Sequence, residues 1–370
     1  MRLHHSLIML GLGLAACADE APVSPRLNEI QFVGTHNSYK AQIDPMLFAR
    51  MTMQDPARAE TLDYWHAPLA EQLDAGMRNL ELDVAWDPAG GLYANPLGYR
   101  MLQAEGATGL LPHDTTGLDV PGFKTLHIQD VDFRSHCATF EACLTDLATW
   151  SAAHPRHVPV IVTMNLKSGP SPIEGGPAAP KPDLAALKLL DETLVNTLGA
   201  HRLFTPDDLR GNAPSIAKVL DVIGWPTVDA LRGKFIFVID ETDADLRRDY
   251  AAGDHIGLRG RAMFMTLPMD DPAAAITVLN DPVKDADAIA EALERSMIVR
   301  TRADADTMEA RNGDTGRRDA AFASGAQIVT TDYYKPDTRF GTGYEVHLPG
   351  GGSVRCNPVT AGEGCVSPAE

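Results

Sequence analysis

The chain has 370 residues, enough for two modest domains or for one large α/β barrel with insertions. Hydrophobic residues at 44% and charged residues at 22% suit a folded globular protein and exclude a disordered chain, a collagen-like repeat and a polytopic membrane protein. Fifty acidic against 32 basic side chains leave a net charge of −18, which repels nucleic acid and disfavours a polybasic anchor, so phosphate chemistry would need local cations or a bound metal.

Residues 2–16 join Arg2 to an apolar stretch (LIMLGLGLAA), too short for a hydrocarbon core of ~30 Å but suited to a signal peptide. Leu14-Ala15-Ala16-Cys17 resembles a bacterial lipobox, in which the cysteine is lipidated and becomes the mature N-terminus. The alternative is plain cleavage that discards Cys17. Residues 1–17 are therefore expected to direct export, leaving the protein lipid-anchored to a bacterial membrane or secreted or periplasmic.

Eight β-rich runs follow, at 30–34, 79–84, 124–128, 158–164, 234–240, 262–267, 297–301 and 327–331. Between them lie helix-period segments at 68–75, 139–154, 183–198, 285–296 and 317–324. Eightfold β-then-α alternation of mostly apolar strands predicts an α/β fold, a (β/α)8 TIM-type barrel over residues 28–340. Residues 86–123 read as an insertion after the second strand, and the Pro/Gly-rich 168–182 as a long loop after the fourth. Residues 341–370 read as a C-terminal appendage. Cys137, Cys143, Cys356 and Cys365 allow three pairings, of which two nearest-neighbour disulfides are the simplest in an exported chain.

In a barrel of this kind chemistry sits at the C-terminal ends of the strands. The first strand ends in Gly34-Thr35-His36-Asn37-Ser38-Tyr39, which sets an imidazole beside a carboxamide. On the second, Glu81 and Asp83 stand two residues apart and share a strand face. Two carboxylates this close in an interior need a cation between them. All-oxygen ligation by Asn37, Glu81 and Asp83 suits Ca2+ or Mg2+ better than zinc. The third run ends in His127, followed by Asp130 and Asp132, and this second imidazole can pair with the first in acid–base work near neutral pH.

GTHNSY, then ELDV about 45 residues later, then a strand-end histidine, resembles the calcium-dependent phosphatidylinositol-specific phospholipase C family in its bacterial branch, within the PLC-like phosphodiesterase superfamily. WHAPLAEQLDAGMRNLELDV, PGFKTLHIQDVDFRSHC, RTRADADTMEAR and GAQIVTTDYY keep the order and spacing of that family from about residue 28 to the end. The resemblance implies His36 and His127 as the catalytic pair and Asn37, Glu81 and Asp83 as Ca2+ ligands. It also implies a ligand at Asn165, where the family usually carries a carboxylate.

It further implies attack by an inositol hydroxyl on a phospholipid substrate at a membrane surface, releasing diacylglycerol and an inositol phosphate. His127 would transfer protons, and His36 would mainly stabilise the phosphorane and leaving group. Arg300 and Arg302 at the end of strand seven, with Lys167, are candidate phosphate-binding cations, and Tyr333 after strand eight a candidate sugar-packing ring. A monomer is expected. The competing readings are a glycerophosphodiester phosphodiesterase and a weakly catalytic barrel that binds phospholipid head groups.

Overall fold

A computed structural model describes residues 24–370, so the expected signal peptide and Cys17 lie outside the described residues. The strands are β1 (Ile30–Thr35), β2 (Asn79–Asp87), β3 (Gly122–Thr125), β4 (Val160–Lys167), β5 (Phe235–Ile239), β6 (Phe264–Met265), β7 (Ile276–Val278), β8 (Ile298–Arg302), β9 (Ile328–Thr331) and β10 (Val354–Cys356). Eight of them run parallel in the order β6-β5-β4-β2-β1-β9-β8-β7 and form a nearly closed barrel, with β6 and β7 unpaired to each other among the described residues. Leu80, Leu82 and Val84 face the surrounding helices and are fully buried, while Glu81 and Asp83 on the other face point inward.

Two strands differ from the sequence expectation. The run at 124–128 is not a parallel barrel strand: Gly122–Thr125 folds back antiparallel on β2, pairing Asp87 with Gly122 and Val84 with Thr125. The insertion before it supplies the length for that return, and a β-rich run carries no mark of direction. The missing parallel strand is β7, Ile276–Val278, paired with β8. It follows Ala273-Ala274-Ala275, and alanine is the strongest helix former, which hides a three-residue strand.

All five expected helices are present, at Leu69–Asp74, Phe140–Ala153, Leu184–Leu194, Ala286–Glu294 and Gly316–Ala323. Thr139 and Asp183 cap two of them, each side chain accepting the backbone N–H three residues on. Pro45–Gln54 and Pro56–Thr61, which lack a clean apolar period, begin instead with an Asp cap and proline at the first helical position. Asp130 joins both long loops, its Oδ1 accepting from Leu97 N at 2.6 Å and its Oδ2 from Ser171 Oγ at 2.5 Å.

The C-terminal tail is stitched onto the barrel. β10 pairs antiparallel with β1 through Ile30–Cys356, and the Tyr344 hydroxyl donates to Ala303 O at 3.0 Å. The cysteines form the Cys137–Cys143 and Cys356–Cys365 bridges.

Gly34 marks the closest approach of the two strands that carry the polar cluster: a Cβ there would lie 2.4 Å from Asn79 Cβ and 2.5 Å from Asn79 O. Gly34→Ala is therefore expected to cost about 1–3 kcal/mol by overpacking and to impair whatever the cluster does. Urea denaturation checks this; a change inside about 0.5 kcal/mol would show that β1 and β2 part freely.

Candidate active site

The interior face of β2 puts Glu81 and Asp83 at the mouth of the barrel, with side-chain exposures of 4% and 1%. Each is met by a cation. Arg300, from β8, donates to Glu81 Oε2 at 2.5 Å and is itself fixed by Asn280 Oδ1 at 2.6 Å. Lys167, from the end of β4, lies 2.9 Å from Asp83 Oδ2. The Tyr39 hydroxyl donates to the same oxygen at 2.9 Å, and burial, reinforced by Asp83, pushes that hydroxyl well above its ordinary pKa, so it remains a donor. Burial would raise the Asp83 carboxyl, but Lys167, His127 and the Tyr39 hydroxyl together hold it below the usual value.

Both histidines follow one design. His127 Nδ1 lies 2.7 Å from Asp132 Oδ2, and Lys40 Nζ lies 3.3 Å from that oxygen. Burial disfavours the Asp132 charge, yet Lys40 and His127 together hold its pKa low, so it stays ionised. His36 Nδ1 lies 2.9 Å from Asp332 Oδ1, and Arg302 donates to Asp332 Oδ2 at 2.8 Å. With Nδ1–H directed at Asp332, His36 Nε2 accepts from Arg302 at 3.3 Å and lies 4.0 Å from Glu81 Oε1. Burial first, then the Arg302 charge, keep His36 well below its ordinary pKa and therefore neutral. His66, which donates from Nε2 to the His36 carbonyl at 2.8 Å, is pushed down to about 4, chiefly by burial.

Whether these residues suit calcium is answered by their donor set. Asn165 Nδ2 donates to Glu81 Oε1 at 2.8 Å and to Asp83 Oδ1 at 3.1 Å, so the two carboxylates already converge on one electropositive group. A half-turn of that carboxamide would present Oδ1 instead. Asn37, at a φ of 48°, is buried beside Tyr39 and Tyr64, with its Oδ1 3.5 Å from the Tyr39 hydroxyl. Two carboxylates and two carboxamides form an oxygen set that fits Ca2+. No cluster of three His, Cys, Asp or Glu side chains suited to a metal occurs among the described residues.

The structure thus brings together His36, Asn37, Glu81, Asp83, Asn165, Lys167, Arg300 and Arg302, with His127 close enough to act electrostatically on both His36 and Asp83. Arg300 pairs with Glu81 across the barrel, not with the acids that follow it in sequence. Tyr333 does not join the cluster. It is 3% exposed, and its ring packs edge-on against Phe340 and Tyr344. Its neighbour Asp332 faces the site instead, in contact with His36 and Arg302.

Asp332 and Tyr39 are the functional residues that sequence reasoning missed. Asp332 directly follows the last residue of β9 and was legible in principle by the same rule that singled out Arg302. Behind it, burial and then Asp332 push the Asp304 carboxyl up to about 7, while it accepts from Asp332 N at 2.8 Å.

Residues 25–358 match the family model described as phosphoinositide phospholipase C, Ca2+-dependent. A calcium-dependent phosphoinositol-specific phospholipase C from a Gram-negative Pseudomonas species is similar in fold, with a TM-score of 0.54 and 19% identity over 90% of this chain and 96% of that one. A Ca2+-dependent phosphatidylinositol-specific phospholipase C from Streptomyces antibioticus gives a TM-score of 0.52 and 17% identity over 84% and 96%. No curated protein sequence matches the chain.

Asp132→Asn and Asp332→Asn should each lower turnover by about 10²–10⁴-fold, the usual range for a disabled acid–base group, with the circular dichroism spectrum retained. A low folded-state pKa at Asp132 means that its contribution to stability is full above the unfolded pKa of about 3.9 and drains away as pH falls through the folded value. Asp132→Asn should accordingly flatten the acid side of the melting-temperature profile. Wild-type turnover by either variant would detach that carboxylate from its histidine's function.

Proposed function

The chain belongs to the Ca2+-dependent phosphoinositide phospholipase C family, and from that premise we propose that His36 and His127 cleave phosphatidylinositol-type lipids to diacylglycerol and an inositol phosphate. The observation that carries this reading is the pair of imidazoles, each backed through Nδ1 by a buried carboxylate, beside the Glu81–Asp83 oxygen set.

A phosphodiester resists attack because its anionic oxygens repel the nucleophile. Asn37, Glu81, Asp83 and Asn165 would hold calcium, whose charge would neutralise the phosphodiester and favour deprotonation of the attacking hydroxyl. The chain's own groups do the rest. Neutral His36 keeps a lone pair on Nε2, which suits it to accept the proton of the attacking inositol hydroxyl, with Asp332 stabilising the imidazolium that forms. Its role thereby shifts from the charge stabilisation expected from sequence toward proton acceptance. Arg302 sits 3.3 Å from Nε2 and provides positive charge where the phosphorane develops. His127, oriented by Asp132, would in its imidazolium form pass the Nε2 proton to the departing glycerol oxygen and be left neutral.

Action at a membrane surface is part of the same reading. The connection after β1 that begins with His36 also carries exposed Met46 and Met53 on the helix Pro45–Gln54, with Trp65 beyond it. The enzyme is read as a monomer, exported and lipid-anchored through Cys17 or else released. The two disulfides support an oxidising compartment.

Phosphorus NMR of products from phosphatidylinositol vesicles tests the reaction. His36→Ala and His127→Ala should each cut turnover at least ~10²-fold without unfolding the protein, and a chelator should abolish it. Product formation indifferent to chelator would end the calcium reading, and a near-active histidine variant would remove that residue. For the anchor, Cys17→Ser should move the protein from the membrane to the soluble fraction of expressing cells; unchanged fractionation would exclude lipidation at Cys17.

A further inference from the structure

The Glu81–Asp83 pair is already charge-balanced by the chain itself. Two carboxylates face two cations, Arg300 on Glu81 and Lys167 on Asp83, while Asn165 Nδ2 bridges the remaining oxygens. A divalent ion added to that arrangement would leave two excess positive charges in a buried cluster, an unfavourable state in a poorly solvated site. One of the two cations must yield.

Their settings differ. Arg300 is 3% exposed, comes from the middle of β8 and is locked by Asn280 Oδ1 at 2.6 Å. Lys167 is the last residue of β4; its side chain is 34% exposed, and its ammonium has Asp83 as its salt-bridge partner. A lysine offers a point charge on a flexible stem, whereas an arginine fork is fixed by its geometry. Lys167 is therefore the member that can leave, and an ammonium displaced from Asp83 at the barrel mouth meets the anionic group of an incoming substrate. A phosphate ester brings a negative charge that offsets part of the excess left by the divalent ion.

Resting on the phosphodiesterase reading above, we propose that Lys167 couples the two ligands of this site: it cedes Asp83 to calcium and takes the substrate phosphate, so that each ligand raises the affinity for the other. Before phosphate arrives, Lys167 acts as a resident competitor for the calcium ligand Asp83. By reciprocity the gain is the same in both directions, and couplings of this kind amount to about 5–150-fold. Asn165 belongs to the same device. A carboxamide in that place offers an oxygen without adding a third negative charge, which leaves two cations sufficient to balance the cluster.

Calorimetric calcium titration of the full chain, with and without myo-inositol 1-phosphate, decides it. Wild type should bind calcium about 5–150-fold more tightly in the presence of the phosphate ester. Lys167→Met should bind calcium alone at least about tenfold more tightly than wild type, because the resident competing charge is gone, and should lose most of the phosphate effect. Lys167→Arg keeps the charge and should keep weak binding of calcium alone, which separates charge from packing; the melting temperature of each variant reports whether the fold survives. Equal calcium affinity in Lys167→Met and wild type, or undiminished phosphate coupling in Lys167→Met, overturns this inference while leaving the phosphodiesterase reading in place. Calcium binding by neither form overturns both.

Discussion

Two carboxylates buried two residues apart on one strand are the constraint to which the rest of this barrel answers. Glu81 and Asp83 project from the interior face of β2, where water is scarce and charge is costly to leave unpaired. Arg300 reaches across from β8, Lys167 from β4, Tyr39 from the loop after β1 and Asn165 from β4, so two parallel strands and a loop are committed to satisfying a single pair. Removing one partner would leave a buried charge exposed to its neighbour's repulsion. The cluster therefore ties β2 to β4, to β8 and to the loop after β1.

The same alternation of charge extends outward to each imidazole. Lys40 holds Asp132, which holds His127; Arg302 holds Asp332, which holds His36. A carboxylate behind Nδ1 sets the tautomer and orients the ring, leaving Nε2 for chemistry. The two arms differ in how close the supporting cation stands to the reactive nitrogen. Arg302 contacts His36 Nε2 itself and helps keep that ring neutral, whereas Lys40 stays behind Asp132, donating also to the Leu62 and Tyr64 carbonyls. Like rings in unlike fields are a means of dividing acid and base roles between two residues of one type.

This arrangement also reconciles a strongly acidic chain with an anionic substrate. The net charge of −18 repels phosphate at a distance, whereas Lys167 from the end of β4 and Arg300 and Arg302 from β8 bring three cations to the barrel mouth. Asp130 secures the loops around that mouth by accepting from Leu97 N, at the start of the helix Leu97–Ala104 in the 86–123 insertion, and from Ser171 in the 168–182 segment, so irregular backbone beside the site is held by a buried side chain.

Sequence by itself determined the α/β alternation and the identity of the residues whose chemistry shows in local spacing: His36 beside Asn37, Glu81 and Asp83 on one strand face, His127 five residues before Asp132. Each of these depends on neighbours within a few positions, and strand period or residue type is enough to reveal it. What needed the tertiary structure was every relation between distant segments. Direction is not encoded in a β-rich run, so the antiparallel return of Gly122–Thr125 and the short strand Ile276–Val278 hidden behind three alanines emerged only from the sheet. Partners across the barrel were equally invisible: Arg300 with Glu81 is a separation of 219 residues, and His36 with Asp332 one of 296. That Asn165 meets both carboxylates, and that Asp332 and not Tyr333 turns toward the site, follow from how distant strands and the loops at their ends meet. That is settled by the closing of the barrel, a long-range event that no local pattern records.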